Sequence, residues 1–145
     1  RVGRAVGEIL DTQRVPHIAV ESRIGRVARL RRDGAAVFYG DASQAEMLGR
    51  LGAARAAALV LTMDDPERAR SVAEAARRSW PRLPIHARAR DEAHARALLA
   101  AGATHVILET AEASLQLGEG GLVEIGVPDD VARALRSAGA SGRVV

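Results

Sequence analysis

Arg1-Val2-Gly3-Arg4 opens the sequence, and eighteen residues after Gly3 the apolar run His17-Ile18-Ala19-Val20 ends on Glu21. In a βαβ unit that holds a dinucleotide, the last glycine of G-x-G-x-x-G lets helix and strand pack closely. An acid about 20 residues further on accepts hydrogen bonds from a ribose. Only the last of the three glycines stands here. The strand and glycines that complete such a signature would lie upstream of Arg1 or be missing, and that strand would be central in its sheet. Leaving it out would orphan buried backbone groups, at roughly 1 to 3 kcal/mol apiece.

Working outward, short β-like runs alternate with helical patterns. The runs are His17 to Glu21, Ala36 to Tyr39, Ala58 to Thr62, Ile85 to Ala89 and His105 to Leu108, each bounded by Gly, Pro, Asp or Thr. Between them apolar residues recur at helical spacing, as in Val6/Ile9/Leu10, Ile24/Val27/Ala28, Ala69/Val72/Ala73/Ala76 and Ala95/Leu98/Leu99. Successive strands start 19 to 27 residues apart. Strands joined by crossover helices at that interval make a parallel sheet covered on both faces. The expectation is an α/β, Rossmann-like doubly wound parallel sheet of order 3-2-1-4-5-6, with its first strand upstream of residue 1 or missing. Ligands of such sheets bind at the carboxyl ends of the strands, around the switch point.

The length of 145 residues suits one domain with a real core, too small for a nucleotide domain plus a full catalytic domain. There are no cysteines, which removes disulfides, thiol catalysis and cysteine-ligated metals. No signal peptide or apolar stretch long enough to span a bilayer is legible, so the expectation for this piece is a soluble, cytoplasmic domain. The pI of about 10.8 suggests nucleic acid at first sight. Yet all 21 basic residues are scattered Arg, with no Lys, against 30 Ala, and the net charge is only +3. That usage reflects a GC-rich genome, and one Phe, one Tyr and one Trp offer no platform for stacking bases. Nucleic-acid binding is not expected.

The strand ends carry the candidate site. They read Glu21-Ser22-Arg23, then Gly40-Asp41-Ala42, then Thr62-Met63-Asp64-Asp65-Pro66, then Arg88-Ala89-Arg90-Asp91. Gly40 suits close backbone approach, and Asp41 before small Ala42 suits the polar edge of an adenine; the same pair also reads as a turn and N-cap. Asp64-Asp65-Pro66-Glu67 reads first as helix-start chemistry. Arg23 could pair with a 2′-phosphate, but two residues past a strand end it reads first as solvent-facing or paired with a carboxylate.

The run Val37-Phe38-Tyr39-Gly40-Asp41-Ala42, then Leu51-Gly52-Ala53, Asp64-Asp65-Pro66 and Ala87-Arg88-Ala89-Arg90-Asp91 closely resembles the regulatory domain of Kef-type potassium efflux antiporters, of the TrkA-N or RCK family. The order and spacing of these motifs match over roughly residues 1 to 122. The resemblance implies a cytoplasmic homodimeric regulatory domain attached to a membrane cation:proton antiporter, binding an adenine nucleotide and passing its state to the transport domain. It implies that the phosphates lie at Arg1, Val2 and Gly3, the ribose at Glu21 beside Ser22, and the adenine at Gly40, Asp41 and Ala42. Thr62, Met63 and Arg88 would line the rest of the crevice. Because the Glu21 carboxylate would repel a 2′-phosphate, NAD(H) or AMP is expected over NADP(H).

The expected domain spans 1–122, with a C-terminal helix and tail over 123–145. Glu119-Gly120-Gly121 would interrupt a crossover helix starting near Ala111, Pro128-Asp129-Asp130 would start a last helix, and Ser137 to Val145 read as a frayed end. Leu98, Leu99, Val106, Ile107, Leu115 and Leu117 are candidates for a dimer surface or for the domain's own core, with Leu122 and Val123 extending the apolar patch. Two alternatives are kept: a dimerisation scaffold with a structural nucleotide, and an NAD-dependent oxidoreductase fragment. The latter needs a proton-transfer group, and His17, His86, His94 and His105 show no pairing, with only His94 able to approach a site. No catalytic residue and no metal site are expected.

Overall fold

A computed structural model describes residues 2–109 and 143–145. Helix α1 spans Val2–Thr12, strand β1 Ala19–Glu21, α2 Ile24–Arg32 and β2 Val37–Tyr39. Then come α3 Ala45–Arg50, a 3₁₀ turn Ala53–Arg55, β3 Ala56–Leu61, α4 Pro66–Ser79, β4 Ile85–Ala89, α5 Glu92–Ala100, β5 His105–Leu108 and β6 Arg143–Val144. Every described ladder is parallel: β1 with β2, β3 with β4, β4 with β5, and β3 with β6. The hydrogen-bonded orders are β1-β2 and β5-β4-β3-β6. The expected α/β class holds, and β4 and β5 fall on the bounds read from the sequence. The 3-2-1-4-5-6 order has its matching neighbours on both flanks, but the edge of β3 facing away from β4 is taken by β6. Residues 143–145, read as a frayed end, are therefore a strand in part. The inferred crossover and last helices, Leu115, Leu117, Leu122 and Val123, and the boundary at 122 lie outside the described residues.

Side-chain alternation in β3 explains how the sheet is covered. Ala58 packs with Leu10 and Val15, with Val6 and Val60 against them, under α1. Leu59 and Leu61 join the larger core with Leu48 of α3, Val72 and Ala73 of α4, Ile85 of β4 and Leu98 of α5. Because successive strand residues point to opposite faces, one strand feeds both layers. The buried face of α4 is Ala69, Val72, Ala73, Ala75 and Ala76. Small side chains there let the helix lie close to the sheet.

Three helices end in one geometry. After α2, Gly34 N–H bonds to Arg31 O and Ala35 N–H to Leu30 O; after α5, Gly102 N–H bonds to Leu99 O and Ala103 N–H to Leu98 O. After α1, Arg14 N–H bonds to Asp11 O and Val15 N–H to Leu10 O. Each is a Schellman motif, which places one residue in the left-handed region where glycine is strain-free. Gly34 at φ 87° and Gly102 at φ 101° meet that requirement, whereas Arg14 takes it at φ 55° with a side chain.

Candidate functional site

The carboxyl ends of β1, β2 and β3 converge, and the start of α4 crosses them. Glu21 closes β1, and the Gly40 N–H just past β2 donates to its backbone oxygen at 3.1 Å. The Glu21 carboxylate accepts from the Arg23 N–H at 2.9 Å, with Arg23 Nε at 3.6 Å and Arg26 Nη1 at 3.5 Å. Arg23 thus pairs with a carboxylate, as its position suggested. The acid is held at the strand end, half-buried, beside two guanidinium groups.

Asp41 folds back on its own loop. Its Oδ1 accepts from the Ser43 N–H at 3.0 Å, the Asx turn that this residue favours. It is not the N-cap of α3, since that helix is preceded by Gln44. The Ser43 N–H, followed by the Ser43 side chain and then Arg68, holds the Asp41 carboxyl below its ordinary range. Ala42 packs against the main core, and Gly40 sits under the end of the Met47 side chain.

Arg68 joins these loops, and nothing in the motif reading pointed to it. Its Nη1 donates to Ser22 Oγ at 3.2 Å and its Nη2 to Asp41 Oδ1 at 3.3 Å. It is placed by the cap of α4, where Asp65 Oδ1 accepts from the Glu67 and Arg68 N–H groups at 3.1 and 3.2 Å and Pro66 starts the helix. The helix-start reading of Asp65-Pro66 is therefore correct. A cation in the first turn opposes the helix dipole. That mismatch was the available signal, because a locally unfavourable charge tends to mark a site.

Gly3 and Thr62 meet on the other side of the crevice. A Cβ on Gly3 would lie 2.7 Å from Thr62 Oγ1, so the start of α1 approaches the end of β3 as closely as glycine allows. Val2 begins α1 and is half-buried, as are Thr62 and Met63. Arg1 lies outside the described residues.

Arg88, the remaining candidate, is largely buried, with its side chain 11% exposed. It pairs with Asp64 and, at 2.8 Å, with Glu109, tying the ends of β3, β4 and β5. Two carboxylates already balance its charge. Asp91 caps α5, accepting from the His94 N–H at 2.8 Å, and that bond above all lowers the Asp91 carboxyl. His94 Nδ1 faces the Arg90 N–H at 3.2 Å, which puts the ring proton on Nε2. Its ring is buried under α5 rather than presented to the crevice. His86 is buried and stacks on His105 across β4 and β5, with centroids 5.0 Å apart. Leu98, considered for a dimer surface, is core at 0% exposure, while its neighbour Leu99 is 52% exposed. Among the described residues no cluster of His, Cys, Asp and Glu could hold a metal ion, and no helix is long and apolar enough to cross a membrane.

The fold has counterparts among known proteins. A crystal structure of the TrkA-N domain of the inner membrane protein ybaL from Escherichia coli superposes with a TM-score of 0.72 at 30% identity, covering 82% of this chain and 90% of that one. The Shewanella denitrificans Kef CTD in AMP-bound form gives 0.56 at 29% identity, covering 84% and 88%. A putative K(+) efflux antiporter KefB of Alkalimonas amylolytica is 37% identical over 128 residues, which are 88% of this chain and 19% of that protein. The chain thus spans about a fifth of the length of that relative. The family model for the TrkA-N domain matches residues 1–109. That match takes in α1 through β5 and every described candidate residue, and the chain belongs to the TrkA-N domain family.

Proposed function

We propose that this domain binds an adenine nucleotide, AMP or NAD(H), across the carboxyl ends of β1, β2 and β3, and that the bound state regulates potassium efflux through an attached membrane cation:proton antiport domain. The observation that carries the reading is the cluster of Glu21, Ser22, Asp41 and Arg68 at the ends of two neighbouring parallel strands. Glu21 and Ser22 offer polar partners to a ribose, and Gly40, Asp41 and Ala42 a short acidic loop to an adenine edge. Val2 and Gly3, with Arg1 before them, offer the amino end of α1 to phosphate, where unpaired N–H groups and the helix dipole favour anions. Thr62, Met63 and Arg88 complete the crevice. The AMP-bound Kef domain from Shewanella denitrificans, 29% identical, supports this ligand class. The KefB relative supports a transporter setting and the inner membrane protein ybaL a membrane one, in keeping with a place at the cytoplasmic face of a membrane. In this reading residues 1–122 are the binding unit, a homodimer, and Leu99 on α5 is an exposed apolar residue available to the pairing.

The domain is not an enzyme in this reading. His94, the histidine best placed by sequence, is buried within α5's own capping network.

Thermal-shift titration of the 145-residue chain with AMP, NAD⁺, NADH and NADPH tests the proposal. A ligand at about 100 times its Kd stabilises by roughly 2.7 kcal/mol. Stabilisation by AMP or NAD(H), lost in Asp41→Ala and Arg68→Ala, is expected; a flat response to all four would overturn it. A scaffold with a structural nucleotide would instead show equal response to every ligand state and no change in conformation between them.

A further inference from the structure

Charge is divided between the two ends of the sheet. Every described ladder is parallel, and Arg68 at the head of α4 reaches the loops that follow β1 and β2. The strands therefore all begin at one rim, opposite the crevice. The helix tails and loops that enter β1 to β5 at that rim are residues 10–18, 29–36, 48–56, 77–84 and 99–104. They hold nine arginines against two acids, Asp11 and Asp33. The crevice end instead collects Glu21, Asp41, Asp64, Asp65, Asp91 and Glu109.

Two of the nine have structural work. Arg31 donates to Val37 O, and Arg77 donates to Gly102 O and Pro81 O. The other seven are exposed, and among the described residues none of them is paired with an acid. By contrast the crevice arginines Arg23, Arg68 and Arg88 each have a carboxylate. Helix dipoles explain cations in the last turns, such as Arg29, Arg32, Arg50 and Arg78. They do not explain Arg14 and Arg82, which lie beyond helix ends. Nor do they explain Trp80, the one tryptophan of the chain, set in Arg78-Ser79-Trp80-Pro81-Arg82 at the same rim. Trp80 packs partly against the main core and is only half-buried, between exposed arginines.

We propose that this basic rim is a docking surface for an anionic lipid bilayer, with the arginines on headgroup phosphates and Trp80 at the boundary between headgroups and acyl chains. The choice of a bilayer rests on the membrane setting proposed above. Guanidinium groups spread over several loops suit a surface of many mobile phosphates, each adding a modest attraction. Tryptophan, apolar in its body and polar at its N–H, favours the membrane–water interface. A nucleic-acid duplex offers it no such layer. Docked in this way, the domain turns its crevice away from the bilayer and leaves it open to nucleotide.

Co-sedimentation of the 145-residue chain with vesicles tests this. Vesicles with about 30% phosphatidylglycerol in phosphatidylcholine should bind it and pure phosphatidylcholine should not, and about 0.5 M salt should release it. Arg78→Ser with Arg82→Ser should lower the partition about 25-fold, near fivefold per arginine. Arg90→Ser with Arg96→Ser removes the same charge from exposed residues away from the rim, and should change it less than about threefold. Should the rim pair fail to fold, Arg29→Ser with Arg32→Ser carries the same expectation. Because Trp80 is the only tryptophan, vesicles brominated on their acyl chains should quench the fluorescence of the unaltered chain. Equal binding to both vesicles, indifference to both rim pairs, or co-sedimentation that leaves Trp80 unquenched overturns the proposal. So does binding to duplex DNA with none to vesicles. AMP melting shifts, measured alongside, separate the two readings. Vesicle binding without an AMP response supports the docking surface and counts only against the nucleotide site, whereas an AMP response without vesicle binding overturns the docking surface alone.

Discussion

Arg68 Nη2 lies 3.3 Å from Asp41 Oδ1 while Nη1 of the same guanidinium reaches Ser22 Oγ at 3.2 Å, so one side chain from α4 ties together the loops after β1 and β2. The planar fork matters, because a lysine ammonium on a flexible stem would meet the two oxygens without fixing their spacing.

The Asp41 carboxyl is held low by the Ser43 N–H and, less strongly, by Arg68. A carboxyl depressed in the folded state adds stability that is complete above its unfolded value, near 3.8, and lost as pH falls through the folded value. Asp41→Asn should therefore melt below the unaltered chain at neutral pH, and the gap should close on acidification below pH 3.8. Paired melting curves across that range check it.

Replacing Glu21 should change which nucleotide is accepted. Arg23 and Arg26 now lie 3.6 and 3.5 Å from its carboxylate. In Glu21→Ala they are released, and the charge that opposes a 2′-phosphate is gone. NADPH should gain about tenfold in affinity relative to NADH, a change of about 1.4 kcal/mol in the difference. Calorimetric titration of both ligands measures it.

Two helical glycines should respond with opposite sign. A Cβ on Gly25 of α2 meets nothing within 4 Å, so Gly25→Ala should stabilise by about 0.4 to 1 kcal/mol through lost unfolded-state freedom. Gly3→Ala gains the same freedom but sets a Cβ 2.7 Å from Thr62 Oγ1, and should destabilise. Adding Thr62→Ala to it should restore stability. Urea unfolding of the four proteins separates these outcomes.

Arg14 holds the left-handed position that Gly34 and Gly102 fill after α2 and α5. Arg14→Gly should raise stability by about 1 kcal/mol, since the strain of a side chain there is of that order. No ion pair of Arg14 is found among the described residues to offset the gain. A rise in Tm checks it.

The alternation of strand and helix was legible because turn residues frame each apolar run. Pro84 and Thr104 fix where β4 and β5 begin, and both strands match their sequence bounds. β1 and β2 are three residues each, shorter than their apolar runs, because backbone pairing stops where the loops turn. Gly3 and Glu21 were legible through their spacing, and Asp65-Pro66 through capping chemistry. Arg68 left only its misplaced charge in the first turn of α4 as a signal, since the loops it binds are 27 and 46 residues away in sequence. β6 was also hidden. Arg-Val-Val carries no period, and only its distant partner gives it a conformation.

Arg77 sits at the opposite rim of the sheet. Its guanidinium donates to Gly102 O at 2.7 and 3.0 Å, to Pro81 O at 2.5 Å and to Thr104 Oγ1 at 3.3 Å, and its stem lies where a Cβ on Gly102 would fall, 2.7 Å from Cγ. The Thr104 hydroxyl in turn accepts from the Ile85 N–H at 3.0 Å. The loops that enter β4 and β5 are thereby riveted to α4, the helix that carries Arg68 at its other end. One helix therefore staples the entry side of the sheet to its crevice side, held by Arg77 at the tail and by Arg68 at the head.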